Sequence, residues 1–523
     1  MRADAGLDLA PTEQILTEGG DTRIVLDRKN GLNRYGCGPL PEPDLAAFGS
    51  STASVVSPAA FAAADRLRQK LLRDGAREAA PRIYRRELER LRREFTELCG
   101  LSEIEGLKTV FGASGTDLHL IAAQLAAGTG ERPLTCIMIE GAETGSGVPA
   151  SLGGRHFSSC TALGDIVPRH EIVAGSGFEV VEIASRQGDG TPRPAALIDA
   201  GFAEAAAAAA AAGRHVLLIV TDVSKTGLVA PSPAGLIELR RRFAGTIDIL
   251  IDACQFRLAP ATLRAYLERD FMVAVTGSKF LTGPAFSGVL LLPPALAWRF
   301  RAKAPSRALG AYSSRAEWPE DWPAGHLRDT ANFGLLLRLE AALAELRAFR
   351  LLDESRIAAF LSRFAEAIRD RLQSDPAFEA LPVPALDRAP IRGEKGDGPS
   401  WDQPSWDEVQ TIFPFLLRHA DGHYLAPEQT SLIYSLLGMD AAKALGLAPG
   451  NPGYAATARL CHLGQPVPCG SRGGTSLTAL RICASARLAV EAVALDRDNG
   501  EQVIRSALAV LDKTRVLIEA LNR

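Results

Sequence analysis

The sequence predicts an α/β protein: a large domain whose mainly parallel sheet is sandwiched by helices, followed by a smaller C-terminal α+β domain. Two observations carry that reading. Short apolar runs alternate with stretches of helical period through the middle of the chain. From about residue 331 this rhythm gives way to long helices, a Pro- and Gly-rich stretch and a few isolated strands. Strands covered by helices on both faces read as near-continuous apolar runs, and these do.

In chain order, residues 1–47 read as an N-terminal extension, in which GLNRYGCGPLPEPD (31–44) offers Arg34 and Tyr35 as candidates to reach a site. The large domain spans 48–330. RRELERLRRE (85–94) has helical spacing and is expected to be a solvated helix face. Strands are expected at LTCIMIE (134–140), VVEIAS (180–185), HVLLIVTDV (215–223), TIDILIDA (246–253), FMVAVTG (271–277) and SGVLLLP (287–293). Between the second and third of these, GFAEAAAAAAAAGR (201–214) is nearly all alanine, the best helix former, with Gly213 as its stop. The smaller domain, 331–523, opens on a long helical stretch at 332–373, and the Pro-, Gly- and charge-rich 380–408 reads as an inserted loop. A strand at TIFPFLL (411–417), an irregular CHLGQPVPCGSRGGTS (461–476), a strand at TALRICAS (478–485) and a last helix near 497–521 complete the chain.

Composition narrows the function classes. With 47% hydrophobic and 23% charged residues, the chain is an ordinary globular protein with a large core. A net charge of -3 supplies no field for nucleic acid or an anionic membrane. The start, MRADAGLDLAPTEQ, lacks the basic and apolar blocks of a signal peptide, and no run reaches the roughly 18 apolar residues of a spanning helix, so a cytoplasmic protein is expected. Eight scattered cysteines without a CxxC pair, and eight histidines without HExxH spacing, suggest neither a disulfide framework nor a metal site.

In open α/β sheets ligands bind beyond the carboxyl ends of the strands, so polar residues directly after apolar runs are the first candidates. Three such ends form a set. TIDILIDACQFR ends a strand in Asp252, with Gln255 three residues on; VAVTGSKF ends one in Thr276, Ser278 and Lys279; TVFGASGTDLHLIAAQLA (109–126) is a Gly/Ser/Thr turn running into a helix. The N–H groups and positive dipole end of that helix make the turn an anion site. A phosphate site, a buried carboxylate and a strand-end lysine together fit pyridoxal 5'-phosphate, which needs an amine for its aldehyde, a carboxylate beside its pyridine nitrogen and a pocket for its phosphate. Each piece alone has a blander reading: the turn as a plain helix cap, Asp252 likewise, Lys279 as a surface loop residue. Order and spacing favour the set, with Lys279 following Asp252 by 27 residues. Of nine lysines only Lys225 also follows a strong strand closely.

At these residues the sequence resembles fold-type I pyridoxal-phosphate enzymes, of aspartate-aminotransferase-like fold, and within them the class V aminotransferase and cysteine-desulfurase-like group. DACQ, and TGSK followed by GP and SGVLLL, carry the likeness, which covers roughly 48–523 and is strongest over 109–293. The resemblance implies a Schiff-base role for Lys279, pairing of Asp252 with the pyridine nitrogen, a bond from Gln255 to the phenolic oxygen, and phosphate contacts from Ser114, Gly115, Thr116 and Thr276. DVSKTGLVAP (222–231) resembles the loop at the ring edge, implying Ser224 or Thr226. RDTANFGLLLRLEAAL (328–343) resembles the stretch that lends a phosphate ligand to a neighbouring subunit, implying Thr330 and a homodimer with shared sites. Arg481 of TALRICAS matches the clamp on the substrate α-carboxylate, and FGSSTASVVSP (48–58) resembles a substrate-facing segment. Where relatives carry a ring over the pyridine this chain reads EGAETGSGVP, so His156 or Phe157 of GGRHF becomes the candidate ring.

The expected function is that of a pyridoxal-phosphate enzyme acting on an amino acid or amine, with transamination in a biosynthetic pathway ranked first. Cysteine desulfuration or β-lyase chemistry is the alternative, weakened because Leu463 stands where a mobile cysteine is needed, with Cys461 and Cys469 off register. A non-catalytic scaffold of the same fold is the third reading.

Overall fold

A computed structural model describes all residues except 1–6, 53, 129–131, 176, 394–404, 444, 451–452, 496–497, 499 and 522–523. The large sheet is built from β1 (Lys108–Gly112), β2 (Leu134–Ile139), β3 (Glu179–Ile183), β4 (His215–Asp222), β5 (Val229–Ala230), β6 (Ile247–Ala253), β7 (Met272–Thr276) and β8 (Gly288–Leu292). Its order is β1-β8-β7-β6-β4-β2-β3, with β5 antiparallel to β4. The run from β7 to β3 is parallel, whereas β8 is antiparallel to both neighbours. The six expected strands are β2, β3, β4, β6, β7 and β8.

Burial on both faces explains their unbroken apolar text. In β2, Ile137 and Ile139 belong to one core cluster while Leu134, Cys136 and Met138 belong to a second one on the opposite face. The alanine tract lies in a helix at Ala195–Ala211 that starts six residues earlier than its alanine content suggests, behind Pro194. It buries Ile198, Phe202, Ala206 and Ala209, a one-sided stripe at helical spacing. Gly213 follows it at φ 69°, a left-handed conformation that glycine takes without strain.

The 332–373 stretch is two helices, Phe333–Arg350 and Glu354–Ser374, because Asp353 caps the second by accepting a hydrogen bond from Arg356 N–H. The smaller sheet is β9 (Phe378–Ala380), β10 (Ile412–Leu417), β11 (Gly464–Arg472) and β12 (Thr475–Cys483), in order β9-β10-β12-β11 and all antiparallel. The 461–476 stretch, read as irregular, contains β11. Pro466, Pro468 and Gly470 disguise it, and the β11–β12 register shifts twice along that stretch.

The 380–408 loop is described at both flanks only. Those flanks are not a surface excursion: Arg388 and Asp222 form an ion pair with both side chains 0% exposed, and Trp406 stacks on Phe280 at 5.3 Å and 8°. The N-terminal segment is likewise packed in. Ala46–Ala47 pairs in parallel with Cys461–His462 of the smaller domain, while Arg338 donates to Leu16 O and Gly19 O.

Candidate active site

Beyond the carboxyl ends of β6 and β7 lies a cavity of about 190 Å³. Asp252 comes from the end of β6; Thr276 ends β7, with Ser278 and Lys279 in the turn after it; Ser114 comes from the turn after β1, and Gly115 and Thr116 open the helix Gly115–Gly128 that follows; Arg481 comes from β12. All of them line this one space. Three strand ends of the large sheet therefore converge at its carboxyl edge, and Arg481 reaches the same space from the smaller sheet.

Asp252 is buried, its Oδ1 accepting the Cys254 N–H at 3.2 Å and its Oδ2 lying 3.3 Å from His119 Nε2. That last contact is one of charge, since Nε2 has no partner of hydrogen-bond geometry; His119 Nδ1 sits 2.7 Å from Gly115 O. Burial by itself would raise the pKa of Asp252. The His119 charge and contact, with Lys279 behind them, outweigh it and hold the carboxyl well below its usual range. Burial likewise opposes protonation of His119, and Asp252 reverses the balance, raising its pKa.

The Ser114–Thr116 turn has an occupant that no local pattern in the sequence marks. Arg23 reaches in from the N-terminal segment, donating Nη1 to Thr116 Oγ1 and Nη2 to Ser114 Oγ, both at 3.1 Å. Asp21 braces the guanidinium through Nε and Nη2, at 2.9 Å and 2.6 Å, and the Phe286 ring lies 4.9 Å beneath it. Ser114 also donates to Asp117, whose carboxyl burial and the nearby Asp21 push up to about 6. Gly115 is required for space: a Cβ there would stand 2.7 Å from Cys254 Sγ.

Other candidates go elsewhere. Ser224 and Thr226 are buried and both donate to Glu143 Oε2 at 2.7 Å, while Arg186 pairs with Glu143 at 2.6 Å; neither hydroxyl reaches the cavity. Gln255 donates Nε2 to Ser51 O at 2.9 Å and leaves Oε1 buried without a partner, off the lining. Thr330 is exposed and away from the cavity. His156 and Phe157 do not supply a ring: both pack on Tyr312, at 5.8 Å and 5.4 Å between centroids. The segment before them presents Gly145, Ser146 and Val148 instead. Arg34, Tyr35, Ser51 and Thr52 do line the cavity, as does Lys225.

Arg481 is 1% exposed. It donates Nη2 to Thr52 Oγ1 at 3.0 Å and to Gln465 O, and Nη1 to Lys225 O at 3.3 Å. Among the described residues no group of three or more His, Cys, Asp or Glu could hold a metal, and no helix is long and apolar enough to cross a membrane.

No protein-family model and no curated protein matches the sequence. Among solved structures, a lysine-to-alanine mutant of C-DES with glycine covalently linked to its PLP cofactor is similar at TM-score 0.50 and 14% identity, over 89% of this chain and 97% of that one. The cysteine desulfurase CsdA of Escherichia coli is similar at TM-score 0.50 and 15% identity, over 90% and 95%. At such identities the likeness is one of fold. With the strand order above it defines the class: the large mixed sheet and C-terminal α+β domain of fold-type I architecture.

Proposed function

We propose that this chain is a pyridoxal-phosphate enzyme acting on an amino acid, with transamination as its reaction. The observation that carries the reading is the convergence of Lys279, Asp252, the Ser114–Thr116 turn and Arg481 on one cavity. The donor set suits the cofactor: a carboxylate kept anionic for a pyridinium, a helix N-terminus with two hydroxyls and a guanidinium for a phosphate, and an amine for an aldehyde. When bound, pyridoxal phosphate supplies an electron sink for the α-carbon of an amine.

The remaining work falls to the protein. Lys279 Nζ is the amine that holds the cofactor and, once released from it, moves the proton at the substrate α-carbon. Asp252, backed by His119, keeps a positive charge on the ring nitrogen. Arg481 orients the α-carboxylate with its planar fork. Thr330, exposed in the single chain, is assigned to a neighbouring copy in a homodimer. Support for desulfuration is lacking at the two cysteines considered for it: Cys461 and Cys469 are buried off the cavity, and burial raises both thiols, Cys469 to about 11.

Incubating cofactor-loaded protein with amino donors and a keto acid tests the reading. Stoichiometric exchange of amine for keto group is expected; sulfide released from cysteine without it would replace transamination by desulfuration. Arg481→Ala is expected to weaken amino-acid binding by about 2–5 kcal/mol, the cost of removing one partner of a desolvated charge pair. Unchanged saturation kinetics would mean that the carboxylate is anchored elsewhere. Arg23→Gln is expected to weaken pyridoxal phosphate by about 1.5–3 kcal/mol, the worth of hydrogen bonds to a charged group. Phosphate-free pyridoxal, titrated by absorbance in parallel, should lose nothing comparable.

A further inference from the structure

Lys225 has no part in the assignments above. It stands in the loop between β4 and β5 and lines the cavity with Arg481 and Lys279, a lining to which Arg34, exposed on the N-terminal segment, also belongs. A continuous run of hydrogen bonds joins their backbones: Gln465 Nε2 donates to Arg34 O at 2.8 Å, Arg481 donates to Gln465 O, and Arg481 Nη1 donates to Lys225 O at 3.3 Å.

Every acceptor of Arg481 is uncharged, two carbonyls and a hydroxyl, and its buried Nε has no partner. Among the described residues no ion pair within 4.0 Å joins Arg34, Lys225, Lys279 or Arg481 to a carboxylate. The acids nearby are already engaged: Glu143 with Arg186 at 2.6 Å, and Asp252 with His119 at 3.3 Å. Arg481 is buried, whereas Lys225 is half-buried, its Nζ donating to Ala142 O at 3.2 Å, and Arg34 is exposed; cations gathered around one small cavity without a carboxylate partner leave the compensating charge to a ligand. One α-carboxylate answers Arg481. Lys225 and Arg34 remain.

We infer that Lys225 and Arg34 form a second anion subsite, so that the substrate is an amino acid whose side chain carries an anionic group, a carboxylate or a phosphate. This rests on the reading of Arg481 as the α-carboxylate anchor. The electrostatics agree: burial, and then repulsion from Arg481 and Lys279, bring the Lys225 amine down to about 8 against the weaker pull of Glu143. An anion between the cations relieves that repulsion.

Calorimetry with succinate and butyrate, equal in carbon count but unequal in charge, tests the subsite. Succinate is expected to bind at least about tenfold tighter, a single charge-assisted contact being worth that much. Lys225→Met should remove the difference while leaving butyrate within about twofold. Arg34→Met, at an exposed position, should narrow it and decides the matter if Lys225→Met fails to fold. Equal binding of the two acids, or a preference untouched by both substitutions, overturns the inference. With cofactor-loaded protein, L-aspartate against L-asparagine and O-phospho-L-serine against L-serine separate carboxylate from phosphate. The succinate measurement needs no cofactor. A protein that prefers succinate but never acquires a visible, borohydride-sensitive absorbance would sink the cofactor and keep the subsite; one with the absorbance and no preference would do the reverse.

Discussion

Replacing Lys279 by alanine is expected to abolish the visible absorbance of cofactor-loaded protein and the covalent label that borohydride fixes, with turnover falling about 10²–10⁴-fold, the range for a positioned general base. The argument is positional. Lys279 lies in the turn after β7, in a cavity whose floor carries Asp252, and the two are close enough for the ammonium to lower the carboxyl's pKa. The cavity holds a second lysine, so the location of the label matters as much as its loss. Peptide mapping of the reduced wild-type protein should place it on residue 279. A label that survives Lys279→Ala and maps to Lys225 would transfer the Schiff-base role to that residue and overturn the assignment made from the β7 end.

The second large effect is on stability. Arg388→Ala is expected to cost about 3–5 kcal/mol in denaturant unfolding, because it strands Asp222 as a buried charge. Arg388 Nε donates to Asp222 Oδ2 at 2.9 Å, and Tyr266 Oη donates to the same oxygen at 2.8 Å, all three side chains being buried. Replacing both charged partners by apolar residues, as in Asp222→Val with Arg388→Leu, should recover much of the loss, since a buried pair contributes less than the breaking of it costs. A single substitution within about 0.5 kcal/mol of wild type would show that water reaches Asp222, and that the flank of the 380–408 stretch is not fastened to β4 in the way described.

How much was legible in the sequence follows from the range of the interactions. The strands of the large sheet announce themselves, because burial on both faces forces apolar runs, and Asp252 and Lys279 are visible as polar residues at the ends of such runs. Arg481, which lines the cavity, sits in a strand whose neighbours are apolar, and only the resemblance points to it. Ser224 and Thr226 mislead for a definite reason: a hydroxyl in a turn is equally fit to satisfy a buried carboxylate, and Glu143, 81 and 83 residues away, claims both. Arg23 was invisible because its targets, Ser114 and Thr116, lie 91 and 93 residues further on, and nothing local distinguishes it from other arginines. The missing ring has the same origin, since Tyr312, 156 residues beyond His156, captures that ring and Phe157. β11 is hidden because proline and glycine mark a loop as readily as a strand, and an edge strand tolerates both where it bulges.

The N-terminal segment runs from the Ser114–Thr116 turn, where Arg23 sits, to the smaller domain, where Ala46–Ala47 pairs with Cys461–His462, and passes Arg34 and Tyr35 along the cavity on the way. It thus roofs the cavity and touches both the large sheet's loops and the smaller domain. Any truncation that begins the protein at Phe48 would open the chamber to solvent on one side and delete two of its arginines together. Swivelling of the smaller domain away from the sheet would have to lift that roof as well.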